Sequence, residues 1–319
     1  MSSIISDLSD LKRLHSRVMS YPIDREKIFK KIREFLVAIK YNKGAFYYRV
    51  PMLFRAVSNE REEWFDNISK LGIAPKCKAQ MSRCNWRGEP MFYGSSDNGV
   101  PIFEIRAKEG DFVVLSSFVN NDNPYNTNEI PIVFNGVVLG VKKILENLKE
   151  SDVDFKNLLY QDDTFKENTP KVIKELDDYM GELFTEVVSN NNKNLYLITS
   201  SICRNFMAYL KNDRVVEGFI YPSVESNRTG FNVALGEAYT KNHLKLYSAS
   251  MYKVTSYDVE TKAYTLQPVK SLCSDEEGGR AKWKRIAARH EGENWVLSPN
   301  TPSTRDIEIP VLSLEGECE

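Results

Sequence analysis

The stretch Ser82-Arg83-Cys84-Asn85-Trp86-Arg87-Gly88-Glu89-Pro90-Met91-Phe92-Tyr93-Gly94-Ser95-Ser96, followed closely by Pro101-Ile102-Phe103-Glu104-Ile105, decides the fold of this chain. In an extended segment Arg83 and Asn85 face the same side, because successive side chains alternate. Arg87-Gly88-Glu89-Pro90 then reads as a turn, and Met91 to Gly94 as a strand that re-enters the core. Tyr93 stands next to Gly94, where a missing side chain lets a ligand approach the backbone. Glu104 lies between Phe103 and Ile105, an apolar setting in which a carboxylate needs a partner. These residues also admit a structural reading, in which Arg83 and Glu104 form a salt bridge and Tyr93 is a core aromatic with a satisfied hydroxyl.

A second concentration is Gly218-Phe219-Ile220-Tyr221-Pro222-Ser223-Val224, then Gly230-Phe231-Asn232-Val233-Ala234-Leu235. A strand that runs into Pro222 leaves Ser223 at its end, where a hydroxyl can meet a ligand or simply close a turn. No histidine is near in sequence to activate it, so hydrogen bonding suits Ser223 better than covalent catalysis.

Outward from these segments the pattern is mixed. Asp24 to Lys40 repeats apolar residues at helical spacing (Ile28, Phe29, Ile32, Phe35, Leu36, Ile39) and predicts an amphipathic helix. Ala45 to Arg55 reads as strand, Glu60 to Lys70 as helix, Asp111 to Phe118 as strand and Asn120 to Asn128 as loop. Val133 to Glu150 carries a strand into a helix. A polar hinge with Asp162, Asp163 and Pro170 precedes helices over Lys171 to Val188 and Leu195 to Lys211, with Asn190 to Asn194 between them. Further strands are expected at Glu217 to Tyr221, Phe231 to Leu235 and Leu244 to Val254. The basic runs Lys27 to Arg33 and Arg280 to Arg285 read as solvated surface. Strands and helices alternate too irregularly for βαβ units, so the expected class is α+β.

Composition excludes several chemistries. The 319 residues carry 43 Lys plus Arg against 44 Asp plus Glu, a formal charge of −1 that gives no overall attraction to nucleic acid or an anionic membrane. The five cysteines form no CxxC pair, which disfavours a zinc ribbon, a thioredoxin-type pair or a disulfide framework. His15, His243 and His290 have no metal-ligand spacing. GxxxxGK[ST], GxGxxG and GxSxG are all missing. No apolar stretch approaches the roughly 18 residues of a membrane span, and the first residues lack the pattern of a signal peptide. A reducing, cytoplasmic location is expected.

Together the two concentrations resemble the RES domain family. The family's Arg-x-Asn, Gly-x-Pro and following Tyr are similar to Arg83-Cys84-Asn85, Gly88-Glu89-Pro90 and Tyr93. Its Glu, eleven residues beyond that Tyr, corresponds to Glu104, and its Tyr-Pro-Ser and Asn-x-Ala-Leu elements to Tyr221-Pro222-Ser223 and Asn232-Val233-Ala234-Leu235. An earlier Arg is matched by Phe54-Arg55-Ala56. Cys84 and Trp86 depart from the family pattern, in which an aromatic residue and a proline more often flank the Asn.

The resemblance implies an ADP-ribosyltransferase-like fold, a split pair of small sheets with NAD+ held between them, over residues 45–255. Residues 1–44 are then an N-terminal helical extension and 256–319 a C-terminal one. It implies NAD+ as substrate and a toxin or defence effector that depletes it, working as a glycohydrolase or, alternatively, as an ADP-ribosyltransferase acting on a protein. A non-catalytic nucleotide-binding module is a third reading. The implied partner is a helix-turn-helix (Xre-type) antitoxin, with no direct nucleic-acid or membrane contact, and a homo-oligomer is among the roles open to the first 44 residues. The residue roles follow suit. Glu104 either stabilises the positive charge that develops on the ribose or orients the attacking water, Arg83 supported by Arg55 binds diphosphate or ribose oxygens, Tyr93 stacks on nicotinamide, Ser223 bonds the ribose, Asn232 braces the loop, and Asn85 is a further residue of the NAD+-binding set. No metal is required.

Overall fold

A computed structural model describes the chain apart from residues 1–7, 21–23, 40–44, 123–129, 149–151, 161, 163–165, 189–192, 210–214, 224–229, 259–262, 277–279, 286–287, 292–293 and 298–319. Along the chain come α1 (Leu8–Ser20), α2 (Arg25–Ala38), β1 (Phe46–Val50), β2 (Leu53–Asn59), β3 (Met91–Ser95), α3 (Val100–Glu104), β4 (Phe112–Asn120) and β5 (Ile132–Val138). There follow α4 (Val141–Asn147), α5 (Val153–Tyr160), α6 (Lys171–Thr185), α7 (Leu195–Tyr209), β6 (Gly218–Pro222), β7 (Phe231–Gly236) and α8 (Glu237–His243). β8 (Leu244–Asp258), β9 (Ala263–Glu276), β10 (Arg280–Arg285), β11 (Ala288–Glu291) and β12 (Asn294–Leu297) complete the set. The architecture is α+β, and most strand pairs are antiparallel. The chain divides into two units: Met1–Tyr48, Pro75–Tyr93 and Val133–Tyr239 make the first, and Arg49–Ala74, Gly94–Ile132 and Thr240–Glu319 the second.

In the first unit the strand order is β1-β5-β6-β7-β3. β5 and β6 are parallel, with Val137 opposite Phe219, and the helices α4 to α7 make the crossover that parallel neighbours require. β6 and β7 pair antiparallel from Gly218 opposite Leu235 to Pro222 opposite Phe231. Every residue of β6 is buried, which explains its continuous apolar sequence rather than an alternating one. The core of this unit gathers Leu11, Leu14 and Val18 of α1, Ile28, Ile32 and Phe35 of α2, and residues of α6, α7 and the sheet. Within α7, Thr199, Ser200, Ser201 and Asn205 are buried as well. Thr199, Ser200 and Asn205 bond the carbonyl four residues back, so a helix with polar side chains can be enclosed on most sides. Gly140, at φ +71, opens α4 where a Cβ would come within 2.5 Å of Gly181 Cα in α6; only glycine permits that approach.

In the second unit the order is β2-β4-β8-β9-β10. β2 and β4 pair from Leu53 opposite Phe118 to Asn59 opposite Phe112. β8 and β9 form a long hairpin with irregular register at Met251/Tyr252 and Val254/Ser256. Ala56, Ile102, Ala107, Val113 and Val254 make an apolar cluster here. In β10, Ala281 and Trp283 are half-buried while Lys282 and Lys284 are exposed, the period of two of a strand with one solvated face. The Trp283 indole N–H donates to the Phe65 carbonyl at 3.2 Å.

Two expectations change. Glu60 to Lys70 forms two short 3-10 segments, Glu62–Asp66 and Ile68–Lys70, instead of one helix. Asn67 between them is extended, and its side-chain oxygen accepts from both the backbone N–H and the hydroxyl of Ser69, an alternative to helical bonding. Cys77 is disulfide-bonded, whereas Cys84 and Cys203 are free and buried. The helices α3, α5 and α8 and the strands β9 to β12 are not expected from the sequence, whereas α1 falls within the helical extension expected over residues 1–44. Asp163, most of the Asn120–Asn128 loop and Cys318 lie outside the described residues.

Candidate functional site

The turn at Gly88 shapes the segment that carries Arg83 and Asn85. Gly88 takes φ +82, and the Glu89 N–H donates to the Trp86 carbonyl at 3.1 Å, the pattern of a type II turn with glycine in its third position. The segment before it is a bent loop without strand pairing, not an extended strand. β3 then brings Tyr93 back against this loop. The Tyr93 hydroxyl donates to Asn85 Oδ1 at 2.6 Å and accepts from the Cys84 backbone N–H at 3.0 Å. Asn85 also donates to the carbonyls of Gln80 and Trp86, both at 2.8 Å, so its amide is spent inside the loop and braces it.

Arg83 is 7% exposed. Its guanidinium donates to the Leu183 carbonyl at 3.3 Å and the Glu186 carbonyl at 2.7 Å, both at the C-terminal end of α6. Leu183 belongs to the last turn of α6, where carbonyls lack an intrahelical partner and carry the negative end of the dipole, and Glu186 is the extended residue that caps it, so a buried cation is well placed there. Backbone carbonyls, rather than a carboxylate, are what hold this guanidinium.

Around the loop the electrostatics favour neutral groups. Burial, with added effect from the Cys84 and Cys203 thiols, pushes the Tyr93 phenol well above its ordinary value, so it stays protonated and donates. Burial and contact with Cys84 likewise push the Cys203 thiol up, which removes it as a thiolate nucleophile.

Ser223 follows β6 and is fully buried, and Asn232 of β7 sits opposite Tyr221 in register, 5% exposed. The first unit therefore joins Asn85 and Tyr93 by a hydrogen bond, seats Arg83 of the same loop on carbonyls at the end of α6, and sets Ser223 and Asn232 at the end of the β6–β7 hairpin. Arg55 and Glu104 belong to the second unit. Arg55 lies on β2, half-buried, opposite Ser116. Glu104, half-buried, ends the short helix α3. Two residues on, Arg106 adopts φ +49, an uncommon conformation for a residue with a side chain.

Sequence reasoning missed one group here. The Trp86 ring, 2% exposed, lies under the guanidinium of Arg204 at 4.2 Å and that of Arg25 at 4.8 Å, with the edge of Phe29 at 5.9 Å. Glu89 forms an ion pair with Arg204. No local spacing signals this, because the partners come from α2 and α7.

Among the described residues no group of His, Cys, Asp and Glu is arranged to hold a metal ion, and no helix is long and apolar enough to cross a membrane. Comparison of the chain with protein-family models, with curated proteins and with solved structures finds no match in any of the three.

Proposed function

We propose that this protein cleaves the nicotinamide–ribose bond of NAD+ by hydrolysis. The observation that supports the reading best is that Tyr93 and Asn85, residues of one motif, meet through a hydrogen bond that closes the loop carrying Arg83. The pairing of Tyr221 with Asn232, two residues before Ser223, adds a second motif pair that is adjacent in space.

Loss of nicotinamide leaves positive charge on the ribose, and a carboxylate stabilises it. Glu104 is the proposed carboxylate, and water adds to the ribose carbon to give ADP-ribose, nicotinamide and a proton. Arg83 retains donors beyond the two spent on α6 and is the proposed diphosphate or ribose ligand, with Arg55 as a second. Ser223 is the proposed ribose hydrogen-bonding group and the Tyr93 ring the nicotinamide platform, while Asn85 and Asn232 hold backbone in place. An Xre-type antitoxin as partner, and a toxin's role in the cell, are proposals of the same origin.

Purified protein with NAD+ labelled in its adenosine half tests this. Free labelled ADP-ribose together with nicotinamide is the expected product, and Glu104→Gln lowers its rate by about 100-fold or more while leaving the fold intact. Label retained on protein would replace hydrolysis by transfer. Binding of NAD+ without turnover would make the site a sensor, and undiminished turnover in Glu104→Gln would remove that residue from the chemistry. Arg83→Ala is a poorer test, since it also removes the bonds to the Leu183 and Glu186 carbonyls.

A further inference from the structure

We infer that Arg204, assisted by Arg25, is a positioning residue that holds the 83–90 loop, and through it the Arg83 guanidinium, in the geometry that receives the dinucleotide. The inference rests on the proposed function for its ligand and on independent geometry for the rest.

Trp86 is one residue beyond Asn85 and cannot move without disturbing the Asn85 bond to its carbonyl. It is buried, yet among the described residues no hydrogen-bond partner fixes its indole N–H. What orients the ring is instead the cation–π pair formed with Arg204 and Arg25, and the edge contact with Phe29. Arg204 acts on the far side of the turn as well, through its ion pair with Glu89. One α7 side chain thus grips the loop at both ends of the Gly88 turn. Asn205, next on α7, donates to the Phe29 carbonyl at 3.2 Å and so ties α2 into the same clamp. A lysine in place of Arg204 keeps the charge but loses the planar face that lies over the indole.

Hydrogen exchange and NAD+ binding in the full chain decide the matter, with wild type, Arg204→Lys, Arg204→Met and Arg25→Gln compared. Arg25 is exposed in the first turn of α2, so its variant leaves the α7 core untouched and serves if Arg204→Met fails to fold. In Arg204→Met, amides of residues 82–89 should exchange about tenfold faster, those of β6 should be unchanged, and NAD+ should bind about tenfold more weakly. Arg204→Lys should recover part of both effects, and Arg25→Gln should show the same direction on a smaller scale. Unchanged loop exchange in Arg204→Met and Arg25→Gln would overturn the positioning role. So would a loosened loop with undiminished NAD+ binding. Failure of wild type to bind NAD+ would overturn the proposed function instead, and the exchange comparison would still decide whether Arg204 positions the loop.

Discussion

The Tyr93 hydroxyl is engaged as donor and as acceptor at once, by Asn85 Oδ1 and the Cys84 N–H. Tyr93→Phe keeps the ring in the core and removes the hydroxyl's bonds, these two among them, so that the Asn85 Oδ1 and Cys84 N–H lose a partner. A loss of about 1–3 kcal/mol is expected, seen as a lower urea midpoint with an unchanged slope. An unaltered midpoint would show that the loop does not depend on Tyr93. The same logic separates Asn85 from Arg83. Asn85 has both amide protons bound within the loop, and Arg83 has two contacts out of five donors. A ligand can therefore be met by Arg83, but by Asn85 only at the expense of the loop.

At the scale of elements, α1 is fastened to α6 through His15, whose Nδ1 lies 2.8 Å from the Tyr179 hydroxyl. The Nε2 side faces the Glu186 carboxylate at 3.9 Å, and Glu182, Lys12, Glu175 and Asp178 are further charged groups around Tyr179. Burial outweighs the attraction of Glu186 and holds the His15 pKa below its ordinary 6.5. The unfolded chain therefore takes up this proton first. Stability from a neutral His15 is fully present above pH 6.5 and is lost as pH falls from there through the lower folded value. Thermal unfolding of wild type between about pH 7.5 and 5.5 should shift downward more than that of His15→Gln, which cannot titrate. Equal shifts would place the acid sensitivity elsewhere. Because Glu186 also receives Arg83 on its carbonyl, the fastening of α1 and the seat of Arg83 share one residue.

For the whole molecule, the N-terminal helices weigh heavily. Leu11, Leu14, Val18, Ile28, Ile32 and Phe35 are all at most 6% exposed and belong to the core of the first unit. Each such side chain contributes about 1.5–3 kcal/mol when buried, so their sum is comparable with the roughly 5–15 kcal/mol that keeps a domain folded. Removal of residues 1–38 should leave a chain that binds ANS and loses near-UV circular dichroism, whereas a well-packed truncated protein would show that these helices are dispensable.

How much of this was legible in the sequence depends on the range of the interaction. The amphipathic period of α2, the turn at Gly88, the strand at Tyr93 and the abrupt end of β6 at Pro222 are all set by local sterics and by apolar spacing, and they can be read directly. The Asn67 break between two 3-10 segments was also local, but side-chain competition for the backbone does not show in periodicity. By itself the sequence determined the α+β class, the major elements of the first unit and which polar residues are unusual. Only the tertiary structure decided that Arg83 is seated on two carbonyls a hundred residues away, and that Trp86 is held beneath Arg25 and Arg204. The physical reason is that a buried polar or charged group takes whichever partner the packing of distant elements brings to it, and spacing along the chain carries no record of that choice.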